Sequence, residues 1–159
     1  MTAFQMLVLD NLRWFSGRMP ETHESFDAAE RALGVYFPDD LRWLLTTHGY
    51  WHATPVRSLD AAVSNTLQAR QHANLPQRFV VLEDIDCETF ELLDSTPDPV
   101  TDCHAIHFVS GEEISDPIGA DSMVYRSYLE YTKDILEREM GNIAEEDIDY
   151  DPGKDGFRM

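Results

Sequence analysis

The stretch "LGVYFPDDLRWLLTTHGYW", residues 33–51, decides the fold. Glycine takes the left-handed conformation beyond a helix end without a Cβ penalty, so Gly34 terminates the helix before it. Pro38 cannot continue that helix, yet proline suits the entrance to the next one. Asp39 and Asp40 then fall in a first turn, where negative charge complements the helix dipole. Leu41, Leu44, Leu45 and His48 recur at the i, i+3, i+4, i+7 spacing of a core-facing helix. Gly49 ends it. The spacing predicts two helices meeting at a tight corner fixed by Gly34, Pro38 and Gly49.

Upstream, Phe4, Leu7, Val8, Leu12 and Phe15 give a helical stripe over 3–16, with Gly17 as its stop. Thr22 is placed to cap the next helix, which carries Phe26, Ala29 and Leu33 on one face. Downstream, 60–73 reads as a short helix with Leu59, Val63, Leu67 and the stem of Arg70 on one side. "NLP" at 74–76 breaks it. The period then changes, and 78–84, 88–94 and 104–110 read as strands. Their short, turn-rich connections predict antiparallel hairpins. "GEEISDPIGADS" reads as a loop with room for a short edge strand. Residues 122–139 form the last helix, packed through Val124, Tyr128, Leu129, Thr132, Ile135 and Leu136, and closed by Gly141. Helices, strands, then a helix predict an α+β fold. Its central, mostly antiparallel sheet carries the N-terminal helices and the C-terminal helix. One domain is expected over 1–141, with 142–159 as an acidic, mobile tail.

Of 159 residues, 43% are hydrophobic and 11% aromatic, enough for a core. No apolar run approaches the roughly 20 residues of a membrane helix. The N-terminal "MTAFQMLVLDNLRWF" lacks the basic start and small-residue cleavage site of a signal peptide. A cytoplasmic protein is therefore expected. Cys87 and Cys103 are too few for a disulfide scaffold; both fall in strand-like segments and read as buried free thiols.

The formal net charge of −18 is unevenly spread. Residues 1–78 are nearly neutral, whereas 79–125 hold twelve Asp and Glu and no Lys or Arg. Direct nucleic-acid binding needs a cationic face and is disfavoured, as is an anionic membrane surface. A basic protein partner is permitted, with long-range attraction speeding encounter. Solubility alone is the competing reading of the charge.

Chemistry-bearing motifs are weak. "DIDCETFELLDS" begins like a calcium loop but has Thr89 where glycine is needed and Ser95 where a bidentate Glu is needed. The repeat from Asp147 fails similarly at Pro152 and Arg158. Cys103, His104 and His107 alternate across a strand, which leaves at most two ligands on a face, short of a zinc site. No nucleophile elbow, P-loop or dinucleotide fingerprint occurs. Neither metal nor cofactor is expected, and no catalytic residue is assigned.

In order along the chain, Thr22, Glu30, Leu33, Gly34, Pro38, Leu44 and Gly49 resemble the N-terminal signature of the SUKH superfamily, the SMI/KNR-type domains. "LPQRFVVLEDID", "TFELLD", "PV" and "YRSYLEYTKDIL" are similar to its later strands and final helix, over about 20–138. Phe37 and His48 stand where Leu and Asn are usual, and "DIDCE" lacks the family's glycine-rich turn. The resemblance implies an α+β fold and, in bacteria, an immunity protein that binds a toxin domain, often a nuclease. The family has no shared catalytic set. Glu83, Asp84, Asp86, Glu88, Glu91 and Asp94 are the candidate partner-binding residues, on a chain expected to be monomer or homodimer. Two further classes stand beside this one: a regulatory interaction module with a non-toxin partner, and an enzyme.

Overall fold

The computed structural model describes residues 1–15, 19–50, 56, 58–85, 88–119, 121 and 123–146. Helices α1 (Ala3–Asp10), α2 (His23–Leu33), α3 (Asp39–Thr47) and α4 (Leu59–Ala73) precede strands β1 (Phe79–Ile85), β2 (Thr89–Asp94), β3 (Ile106–Ser110) and β4 (Met123–Tyr125). Helix α5 (Tyr128–Glu146) follows. The four strands form one sheet in the order β1-β2-β3-β4, every neighbour antiparallel. This is the α+β arrangement that the order of periodicities predicts.

The corner at 33–38 is built as its residue types dictate. The Thr22 hydroxyl accepts the Ser25 N–H at 3.0 Å and caps α2. Gly34 ends it at φ +68°, its N–H bonded to the Glu30 carbonyl at 2.8 Å. The Leu33 carbonyl left over at this helix end is taken by Arg70 Nη1 at 2.7 Å and Gln77 Nε2 at 2.6 Å, so α2 is locked to α4 and its exit. Beyond Gly34, a carboxylate closes the turn. Glu30 Oε2 accepts the Phe37 N–H at 2.8 Å, and Glu30 Oε1 pairs with Arg42 of α3. Phe37 thereby packs edge-on against Phe26, 5.7 Å between ring centres. Leu41, Leu44 and Leu45 are buried as predicted. His48 is the residue after α3, half-buried against Trp43, and Gly49 follows at φ +74°.

Helix α4 covers the edge of the sheet at β1. Buried Thr66 donates to the Ala62 carbonyl at 2.6 Å and accepts the Val81 N–H at 2.9 Å, supplying a partner for an edge-strand amide. Next to that amide the β1–β2 register slips: Val81 pairs Leu92, but Glu83 pairs Glu91. Leu82 is the extra residue of a bulge. Core forms on both faces. Val80, Leu82, Leu93 and Ile106 join the main core of Phe4, Phe26, Leu44, Tyr128 and Tyr131. Phe79, Val81, Leu92, Val109 and Ile114 form a second core with Ala69 and Leu75.

Four expectations need correction. Leu67 is 43% exposed; α4 instead buries Leu59, Ala62, Thr66 and Ala69, a stripe turned by one residue toward the sheet edge. The first helix stops at Asp10 and gives way to a 3-10 turn at Leu12–Trp14, which leaves Leu12 exposed and buries Trp14 and Phe15. Its expected stop, Gly17, lies outside the described residues. Residues 123–125 are strand, with Val124 49% exposed, because pairing with β3 outweighs a helical spacing that Tyr128 onward satisfies alone. Helix α5 also runs through Gly141 to Glu146. A Cβ at 141 would meet nothing within 4 Å, and an exposed mid-helix glycine costs only about 1 kcal/mol relative to alanine. The expected tail thus begins with helical backbone over 142–146, and 147–159 lie outside the described residues.

A Cβ on Gly34 would sit 2.7 Å from Gln77 Nε2 at a φ that side chains resist. Gly34→Val is expected to destabilise the protein by about 1–3 kcal/mol in urea unfolding. An unchanged or raised stability would mean that the position is ordinary helix.

Candidate functional site

The acidic run of β1 and β2 divides according to the bulge. Residues directly opposite in an antiparallel pair share a face. Glu83 and Glu91 therefore face the main core side, whereas Asp84 and Phe90 face α4. Glu91 is buried and accepts the hydroxyl of Tyr131 on α5. Burial, then the Glu91 charge and its hydrogen bond, push the Tyr131 phenol well above its ordinary value. Beside it, Tyr125 donates to Asp134 and is pushed up to about 12, burial being the larger cause.

Asp94 is also internal. The Arg78 guanidinium grips it from Nε at 2.8 Å and from Nη2, and the Thr96 N–H adds a third donor at 3.0 Å. The bidentate bond to Asp94 holds the Arg78 guanidinium above its ordinary value. So the base that precedes the twelve-acid block is spent on a buried aspartate of that block. His107 packs on Phe79 in the same corner, and burial lowers its imidazole despite the opposing pull of Asp94.

What remains at the surface clusters at one end of the sheet. Glu83 and Asp84 are half-exposed and Glu88 is exposed. The Gly111 N–H donates to the Glu88 carbonyl at 2.9 Å, which sets the exposed Glu112 and Glu113 beside the β1–β2 connection. Asp86 lies outside the described residues. The sequence thus groups six acids; the structure leaves Glu83 and Asp84 half-exposed on opposite faces of β1 and Glu88 exposed at the same end of the sheet, while Glu91 and Asp94 turn inward. Glu91 shares its parity with Leu93, so its inward direction was readable from alternation; the Arg78–Asp94 grip needed the register.

Sequence reasoning missed a groove at the same end. Asn65, Gln68, Ala69, His72 and Ala73 of α4 form one wall, and Asp84, Phe90 and Ile114 the other, around about 190 Å³. Ile114, in a segment read as loop, is buried and anchors the 111–116 turn there.

Cys103 also differs from expectation. It lies in the β2–β3 connection, half-exposed, its thiol 3.4 Å from the Thr101 carbonyl. The wide loop is held by Asp98, which accepts the Val100 and Thr101 N–H groups, and these lower its carboxyl. Cys87 lies outside the described residues. His104 Nδ1 is 2.9 Å from the Asp94 carbonyl. Among the described residues, no three His, Cys, Asp or Glu side chains are placed to hold a metal ion. No helix of the described residues is long and apolar enough to cross a membrane. No known family model matches the chain, and no curated protein matches it.

Two outcomes follow. Tyr131→Phe removes a donor from a buried carboxylate and is expected to cost about 1–3 kcal/mol in urea unfolding; a neutral result would mean that Glu91 is otherwise satisfied. His107 and His48 both have imidazoles lowered from 6.5 by burial. The unfolded chain then binds more protons below that value, so stability is full above about pH 6.5 and falls as the pH drops. His107→Gln is expected to flatten the stability profile between about pH 7 and 5; an unchanged slope would exclude His107 as a source.

Proposed function

We propose that this chain is a non-catalytic, immunity-type protein of the SUKH superfamily that acts in the cytoplasm. It binds and neutralises a cationic toxin domain, a basic nuclease being the target its charge suits best. The observation that carries the reading is the one-sign surface at the β1–β2 end: Glu83, Asp84, Glu88, Glu112 and Glu113 reach solvent there, and 79–125 supply no Lys or Arg. The ordered motifs around Thr22, Glu30, Gly34, Pro38 and Gly49 support the family reading. Such a surface resembles a phosphate backbone in charge and can occupy the cationic groove where a nuclease holds its substrate. Like charges held together repel, and a cationic partner relieves that repulsion on binding.

The gene beside this one is expected to encode a secreted protein with a basic toxin domain, and co-expression of this chain is expected to restore growth to cells that express that domain. Reversing Asp84, Asp86 and Glu88 to Lys should slow association with that domain by at least about tenfold, and raising salt should weaken the wild-type complex. Growth unrestored, or a complex indifferent to both salt and the triple reversal, would contradict the proposal.

A further inference from the structure

We infer that the outer face of α1 is where two copies of this chain pair. This surface is separate from the one that carries the proposed function. Helix α1 is apolar on both sides. Phe4 and Val8 are buried in the main core, and Leu7 packs against it. Half a turn round the helix, Met6 and Leu9 face outward, 52% and 41% exposed. A surface helix ordinarily turns charged and polar residues to water. Helix α2 does so with Glu24, Asp27 and Arg31, and α5 with Lys133, Glu137 and Arg138. Helix α1 has no acid in its first turn and no base in its last, and its one charged residue, Asp10, is its final one. Met1 before the helix and Leu12 after it are exposed as well.

Charge selects the occupant. Thr2, Ala3 and Phe4 line a cleft with Asp102, Cys103 and His104 of the β2–β3 connection. In an antiparallel sheet that connection lies at the opposite end from the β1–β2 connection, so α1 begins far from the acidic end. A cationic partner is drawn to that acidic end and gains little at α1. Residues 1–15 hold one acid, Asp10, and one base, Arg13, which lies over the Trp14 ring. The nearby acids at the start of the helix are Asp40, which accepts the Thr2 hydroxyl at 2.9 Å, and Asp102. They share the cleft with the first turn, and neither Met6 nor Leu9 lines it. Two chains that each carry −18 can therefore meet on this neutral apolar face while their acidic ends stay apart.

A helix that meets its own copy does so about a two-fold axis. With the axis between Met6 and Leu9, antiparallel helices set Met6 of each copy on Leu9 of the other. The two residues are three apart and so lie side by side on one face. Methionine is unbranched and polarizable, and adapts to such a contact. The face is small against the roughly 20–30 residues a side of a standard interface, so the dimer is weak, with a Kd on the order of 100 µM.

Sedimentation equilibrium of the full chain between about 10 µM and 1 mM brackets that value. A monomer–dimer equilibrium is expected. Raising salt from about 50 to 500 mM should tighten it several-fold, because screening relieves the repulsion between chains of like charge. Met6→Lys and Leu9→Lys, both at exposed positions, should each weaken the dimer at least about tenfold, although each lowers the net repulsion. Leu67→Lys, at an exposed apolar position of α4, should not. Urea unfolding checks that the variants keep the wild-type fold. A dimer that loosens with salt, that Met6→Lys leaves intact, or that Leu67→Lys weakens equally would overturn the inference. A chain that stays monomeric over the whole range would overturn it too, and would leave the proposed function, which rests on the acidic end, standing.

Discussion

The hydrogen bond from the Val81 N–H to the Thr66 hydroxyl, beside the one-residue slip in β1, is the constraint on which the site depends. An edge strand exposes a row of unpaired amides, and a bulge leaves its neighbourhood with irregular pairing. Thr66 supplies a partner from a helix laid along that edge, so α4 and β1 are held in one arrangement. The slip then reverses the alternation for the rest of β1. Leu82 stays with Val80 in the main core, Glu83 comes opposite Glu91, and Asp84 turns toward α4. A regular strand would have placed these two acids on the opposite faces.

The division of the acids follows from desolvation. A carboxylate taken out of water must be neutralised or hydrogen-bonded, or it costs several kcal/mol. Asp94 has the Arg78 fork and the Thr96 amide; Glu91 has the Tyr131 hydroxyl. Arg78 and Tyr131 are distant in the chain from the acids they hold, and so tie β2 to the β1 entrance and to α5. Glu83, Asp84 and Glu88 keep access to water. The same block of sequence therefore divides between the core and the surface.

Legibility in the sequence follows the range of the physics. Gly34, Pro38, Gly49 and the Thr22 cap act within four residues of themselves, and their chemistry marked the helix ends correctly. Alternation over 79–94 and 106–110 marked three strands for the same reason. Features set by distant partners were not marked. The slip at Leu82 leaves no local trace, since one extra apolar residue in "RFVVLEDI" looks like a continuous strand. Val124 fits a helical spacing locally, and β3, which recruits it, ends at Ser110, too far back in the chain for a local pattern to include. Gly141 reads as a stop because an isolated glycine weakens a helix, but α5 is long enough to absorb one. The groove was invisible because it joins α4, β1, β2 and the 111–116 turn.

The most direct test of this account compares two aspartates of the same block, ten residues apart in sequence, by urea unfolding. Asp94→Ala removes the partner of Arg78 and an acceptor for Thr96, and is predicted to lower stability by about 2–4 kcal/mol. Asp84→Ala, half-exposed at the surface end, is predicted to lower stability by no more than about 1 kcal/mol, the range of a solvated ion pair. Equal losses at the two positions, or a larger loss at Asp84, would contradict the division of the acidic block into core and surface sets.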